Sequence, residues 1–162
     1  MDRARAYIGI GANMGNARVQ VEQAFDALDA LPETRVLARS ALFHTAPIDA
    51  EGDDYVNAVA GIETALAPET LLQALLAIEL QQGRLRTYHN APRPLDLDIL
   101  LYGEHTIATT SLTIPHPRLT ERAFALIPLL QIAPLVTIPG HGPAQAFAAA
   151  VADQSIRQIA AP

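Results

Sequence analysis

The chain has 162 residues and a mass of 17.3 kDa, half of them apolar, which is the size of one ordinary domain able to bury its own core. It contains no cysteine, which excludes disulfides, thiolate metal sites and a cysteine nucleophile. Eleven basic residues against 17 acidic ones leave a net charge of −6, opposite to the footprint of a general nucleic-acid binder, and all eleven are arginine, which excludes a Schiff-base lysine and a P-loop lysine.

The opening MDRARAYIGIG lacks the apolar stretch and cleavage site of a signal peptide, so a cytoplasmic protein is expected. Ala6 to Gly11 is short and apolar and is followed by a turn, the pattern of a strand. Gly9, Gly11 and Gly15 echo a dinucleotide fingerprint, but their spacing is GxGxxxG, so we assign them to a tight strand-to-helix turn. Val19, Ala24, Phe25, Leu28 and Leu31 then recur with helical spacing up to Pro32. Thr34 to Phe43 and Tyr55 to Leu66 carry β-type residues and flank a loop, Thr45 to Asp54, rich in Asp, Gly and Pro. Pro68 and Glu69 open a second helix, whose apolar residues Leu71, Leu72, Leu75, Ile78 and Leu80 run to Gly83. Leu95 to Tyr102 is a further strand.

The order β-α-β-β-α-β predicts a ferredoxin-like α+β sandwich, an antiparallel sheet with helices packed on one face. Beyond residue 103 we expect an appendix of turns, short helices and a small strand, within a single domain spanning residues 1–162. The uncharged segment Ala123 to Ala152 imitates a membrane span, but Pro128, Pro134, Pro139, Gly140 and Gly142 interrupt it, so it belongs to the core. The alanine-rich tail from Ala144, with Phe147 and Val151, has a helical pattern that would pack on the domain.

The sharpest chemical feature is Arg93-Pro-Leu-Asp96-Leu-Asp98-Ile-Leu. Strand alternation sends Leu95, Leu97 and Ile99 to one face and Asp96 and Asp98 to the other, with Cα atoms about 7 Å apart. At an effective dielectric of about 20 the two carboxylates repel by about 2 kcal/mol, which a hard divalent cation such as magnesium would relieve. A solvated acidic strand face is the plain alternative. Arg84, Arg86 and Arg93 stand in the segment leading into this strand, which holds no acid from Arg84 to Arg93. Guanidinium forks beside paired carboxylates suit a magnesium-nucleotide, the acids for metal and the arginines for phosphate. Further on, His116, Arg118, Arg122 and Phe124 set polar donors beside an aromatic ring, whereas His44, His89, His105 and His141 have no spacing that suggests a metal site.

The segment from His89 to Leu100 resembles the signature of the 6-hydroxymethyl-7,8-dihydropterin pyrophosphokinase family of folate synthesis. Supporting matches are Ile8-Gly-Ile-Gly-Ala-Asn13, Thr45-Ala-Pro47, Asp54-Tyr-Val-Asn57, Ile78 to Arg84, Ile114-Pro-His116 and Arg122-Ala-Phe124. The resemblance implies a ferredoxin-like fold with extra elements and transfer of the β,γ-diphosphate of ATP to the pterin hydroxymethyl oxygen, releasing AMP, with two magnesium ions. It casts Asp96 and Asp98 as metal ligands, Asp96 also near the attacking hydroxyl, and Arg84 and Arg93 as catalytic arginines on the phosphates. Glu79, Arg86, Ile99, Thr113, His116 and Arg122 fall at nucleotide positions. Tyr55 and Phe124 fall at the walls that sandwich the pterin, while Asn57 and the backbone around Thr45, Ala46 and Ile48 read its edge. Departures from the family pattern are a shorter loop between Arg86 and Arg93, Asn90 where a tryptophan is common, Leu76 for a glutamine and Ser111 for an arginine. Tyr88 or His89 would then seal the site in place of that tryptophan.

The expected partners are ATP and a reduced pterin, with neither nucleic acid nor membrane, for a monomer. Gly83 with residues 84–94, and the loop 45–54, would close over both substrates. A non-catalytic ferredoxin-like module binding a small effector and a magnesium-dependent phosphohydrolase are the two alternatives.

Overall fold

A computed structural model describes residues 3–13, 16–45, 55–82 and 95–159. The chain runs through β1 (Ala4–Ala12), α1 (Ala17–Asp29), β2 (Thr34–Arg39), β3 (Phe43–Thr45), β4 (Tyr55–Thr64), α2 (Pro68–Gln81) and β5 (Asp96–Tyr102). After these come β6 (Ile107–Ala108), β7 (Thr113–Ile114), α3 (Ala123–Ile132), β8 (Thr137–Ile138), β9 (Gly142–Pro143), short 3₁₀ turns and β10 (Ile156–Gln158).

The main sheet has the order β10-β3-β4-β1-β5, with β2 also on β4, and its strand pairs are antiparallel. Small hairpins β6-β7 and β8-β9 stand beside it. Residues of period two decide what each face holds. Ala6, Ile8, Ile10 and Ala12 of β1, Val56, Ala58, Ala60 and Ile62 of β4, Leu97 and Ile99 of β5, and Leu95 just before it join α1 and α2 in one buried aliphatic core. Among the described residues the opposite face is covered only in part, by α3, where Leu126 and Leu129 meet Val59, Leu100 and Leu101, together with Ile138, Ala144 and Val151 of the segments after it. Helices therefore lie on both faces, because the appendix supplies one to the side that the expected sandwich leaves bare. The uncovered part of that face is where the site forms.

Local chemistry sets the helix ends. Asn16 accepts the Val19 amide at 3.3 Å, a side-chain cap three residues into α1. Pro68 occupies the first helical position of α2, where a missing N–H costs nothing. Two residues of the expected apolar stripes lie elsewhere. Val21 takes the buried place that Val19, 40% exposed, was expected to hold, and Leu80 is 63% exposed. Leu80 follows Leu71 by about two and a half helical turns, which turns it to the opposite side, and buried Glu79 takes the inner place.

The strand expected from Thr34 to Phe43 is broken at Ser40–Leu42. There the register against β4 slips by one residue, as it has already done at Leu37. Ser40 keeps the break attached: its amide donates to the Val59 carbonyl at 2.9 Å, and its hydroxyl accepts the Val59 amide at 2.8 Å. A second bulge lies in β5, where Leu100 is the extra residue between Ile99, opposite Ile8, and Leu101, opposite Tyr7. The tail packs on the domain as expected, with Ala144 and Val151 buried and Phe147 beside them, but as 3₁₀ turns and the strand β10 on β3 instead of a continuous α-helix. No helix among the described residues is long and apolar enough to cross a membrane.

Candidate active site

The open part of the second face is a cavity of about 370 Å³, within the range of small-molecule sites. Its floor is the middle of the sheet. Asp96 stands opposite Gly11 and Asp98 opposite Gly9 on β1, and on the other side of β1 Gly11 faces Asn57. Gly9 and Gly11 thus lie within β1, not in the turn to α1 to which the sequence assigned them. Their value is the absence of a side chain. A Cβ on Gly11 would stand 2.8 Å from Asn57 Oδ1, and one on Gly9 would stand 3.3 Å from Leu100 Cδ2. The glycines leave the carboxylates on one side and the amide on the other facing a shared hollow.

Asn57 is buried, and its amide nitrogen donates to Thr45 Oγ1, which locks the orientation of both side chains. Tyr55 pairs with Thr45 across β3 and β4 and also lines the cavity. The far wall comes from the connection between β7 and α3, which supplies His116, Arg118 and Arg122, and from Phe124 in the first turn of α3. Arg122 lies over the Phe124 ring, 5.7 Å from its centroid, close enough for a cation–π contact. Gln154, in the tail, braces this wall: its Oε1 accepts the Ala123 amide at 2.9 Å and its side-chain nitrogen donates to the Glu121 carbonyl at 2.7 Å.

His116 Nδ1 accepts the Arg118 amide at 3.1 Å, so the neutral ring carries its proton on Nε2. Burial, then the charges of Arg122 and Arg118, push its pKa below the ordinary histidine value. The ring is thereby kept as a neutral donor beside two cations.

Eight of the residues singled out from sequence line this cavity together: Thr45, Tyr55, Asn57, Asp96, Asp98, His116, Arg122 and Phe124. Three stand outside it. The Ile99 side chain packs in the helix-side core, Glu79 is buried on α2, and Thr113 is exposed on β7. Arg84, Arg86, Arg93, Ala46 and Ile48 lie outside the described residues, as do residues 83–94, with Tyr88, His89 and Asn90, and 46–54 of the two loops expected to close, Thr45 belonging to β3. Of the departures, Leu76 is 37% exposed on α2, and Ser111 Oγ stands 3.4 Å from both carboxylate oxygens of Glu69. Sequence reasoning missed the floor glycines and gave Arg118 no role of its own; the proline-flanked run His116-Pro-Arg118 was the available signal for the arginine.

Among the described residues no group of three or more His, Cys, Asp or Glu side chains could hold a metal. A pair of carboxylates beside an open cavity suits magnesium, which takes one or two carboxylates and completes its shell with water and substrate phosphate.

A family model for 7,8-dihydro-6-hydroxymethylpterin-pyrophosphokinase (HPPK) matches residues 7–134. Similar proteins include the 2-amino-4-hydroxy-6-hydroxymethyldihydropteridine pyrophosphokinases of Pseudomonas aeruginosa, 46% identical over 83% of this chain and 84% of that one, and of Methylorubrum extorquens, 40% identical over 89% and 92%. Among solved structures, an HPPK-DHPS in complex with substrates superposes with a TM-score of 0.74 at 13% identity, covering 93% of this chain and 43% of that one. The HPPK-DHPS of Plasmodium falciparum with pteroate gives a TM-score of 0.72 at 14% identity, covering 94% and 42%. This chain spans less than half the length of those structures, and at that identity they speak to the fold alone. The chain belongs to the 7,8-dihydro-6-hydroxymethylpterin-pyrophosphokinase family, the enzymes that transfer diphosphate from ATP to the hydroxymethyl group of that pterin in folate biosynthesis.

Proposed function

We propose that the cavity between β1, β4, β5 and α3 is where this chain performs that transfer, with the pterin at the Asn57 end and the triphosphate at the Asp96 and Asp98 end. The observation that carries the reading is the row Asn57–Gly11–Asp96 across the sheet, which sets an amide able to read a ring edge and a carboxylate on one glycine floor. Tyr55 and Phe124 form the walls for a flat ring, where stacking contributes about 0.5–1.5 kcal/mol beyond burial. Thr45, held by Asn57, completes that end, and the backbone of Ala46 and Ile48, outside the described residues, would read the ring edge with it.

Asp96 and Asp98 would hold magnesium, two ions in all, which on binding supplies positive charge against the phosphate oxygens. Neutral His116, Arg118 and Arg122 face the same hollow as donors to the nucleotide. Arg84, Arg86 and Arg93, outside the described residues, would add charge on the phosphates. Glu79, Ile99 and Thr113 stand outside the cavity, and no side-chain contact with the nucleotide is assigned to them. In the reaction the hydroxymethyl oxygen bonds to the β-phosphorus as the bond from that phosphorus to the α-phosphate oxygen breaks. AMP leaves, and the hydroxyl proton passes to Asp96. Alignment and fixed charge then carry most of the rate.

The same reading makes the core a ferredoxin-like βαββαβ unit within a single domain of residues 1–162, working as a cytoplasmic monomer. Incubation with magnesium-ATP and 6-hydroxymethyl-7,8-dihydropterin should yield AMP and the pterin diphosphate in equal amounts, measured by ion-exchange chromatography. Release of free phosphate without pterin diphosphate would overturn the assignment.

A further inference from the structure

Glu79 is a carboxylate only 3% exposed, on the inner side of α2 with Leu71, Leu75 and Ile78. Such burial is costly unless the group is hydrogen-bonded. Its Oε2 accepts the amide of Leu97 at 2.8 Å. Leu97 lies between Asp96 and Asp98, on a strand at the edge of the sheet.

Along an edge strand the backbone groups point alternately toward the neighbouring strand and away from it. Because the Leu97 amide is taken by a side chain from α2, it points outward, and the amides of Asp96 and Asp98 point inward to β1. Three residues on, the bulged Leu100 turns its carbonyl to the His116 amide at 3.0 Å. The stretch bearing both carboxylates is thus tied at two points outside the ladder, once by a side chain and once by the wall of the site.

We propose that Glu79 is a positioning residue: by accepting the Leu97 amide it fixes β5 against α2, and so fixes the directions in which Asp96 and Asp98 face the cavity. This rests on the reading of those aspartates as magnesium ligands. Only the acceptor oxygen is required, not the negative charge, and that separates this role from a direct charged contact with the nucleotide.

The test compares Glu79→Gln, which keeps an acceptor, with Glu79→Met, which removes it while filling similar space. The first readout is amide hydrogen exchange by NMR on the chain without metal or nucleotide. Leu97 should exchange at least about tenfold faster in Glu79→Met, with the amides of Ile8 and Ile62 unchanged, and at the wild-type rate in Glu79→Gln. The second is the magnesium concentration giving half-maximal turnover at saturating ATP, which should rise about 10–100-fold in Glu79→Met, the usual cost of losing a group that orients a metal ligand, and stay near wild type in Glu79→Gln. Unchanged Leu97 exchange in Glu79→Met overturns the proposal, as does a Glu79→Gln variant impaired like Glu79→Met in magnesium dependence. Should Glu79→Met fail to fold, the Gln variant decides alone: a loss of tenfold or more in either readout rejects the acceptor role. Asp96→Asn is the control for the underlying reading. If it leaves the magnesium dependence unaltered, the ligand assignment fails, while the exchange result at Leu97 stands by itself.

Discussion

The two faces of the central sheet share the same strands but have opposite contents. Toward α1 and α2, Ile8, Ile10, Ile62, Leu95 and Leu97 are all at most 5% exposed and close a dry aliphatic layer. Toward the cavity, the alternate positions hold Gly9, Gly11, Asn57, Asp96 and Asp98, with α3 covering only the far end. A two-residue period lets one face be filled for stability while the other stays hollow and charged. The backbone positions that hold the two carboxylates are those clamped by the aliphatic layer beneath them.

The widest separation between the faces should come from Asp96→Ala. Loss of this carboxylate is expected to lower turnover by at least about a thousandfold while the melting temperature stays within a few degrees, checked by AMP release and calorimetry. From the other face, Ile62→Ala should destabilise the fold by about 2–5 kcal/mol in urea titrations and leave turnover per folded molecule near wild type. Gly11→Ala tests the hollow itself: the new methyl meets Asn57 Oδ1, so KM for the pterin should rise about tenfold, equal to about 1.4 kcal/mol, with KM for ATP changed much less.

The smallest effect concerns His116. Its folded pKa lies below the ordinary 6.5, so the unfolded chain takes up the proton first, and stability falls as pH drops from about 6.5 through the folded pKa. Between about pH 7.5 and about pH 5.5 the wild type should therefore lose more urea stability than His116→Gln, with the difference gone above about pH 7.5.

Much of this arrangement was legible in the residues. Strand alternation alone separated Leu95, Leu97 and Ile99 from Asp96 and Asp98, because the period of a strand is geometric and needs no partner. The two helices were legible for the same local reason, the first from the spacing of its apolar residues and the second from Pro68 and Glu69 at its start, whereas the Asn16 cap emerged only in the structure. What escaped were features that exist only between elements. The break at Ser40 depends on Val59, and Gly9 and Gly11 acquire meaning only from Leu100 and Asn57 across the ladder. Gln154 supports the wall from 31 residues beyond Ala123 in sequence. Glu79 carried a nucleotide assignment from its place in a motif; its observed hydrogen bond is to the strand of the aspartates.

The extra residue in β5 has a consequence for how that strand can change. With the bulge at Leu100, Leu101 faces α3 and Tyr102 returns to the helix side, where its hydroxyl donates to the Leu66 carbonyl. Were Leu100 instead paired opposite Tyr7 in unbroken alternation, those two sides would be exchanged. The strand is in effect two strips spliced out of phase, the first answerable to the ligand and the second to packing. Substitutions can accumulate in either strip by itself, and a deletion of Leu100 would leave Leu101 opposite Tyr7 and Tyr102 opposite Ala6, on the faces they now hold, while removing the carbonyl to which the His116 amide donates.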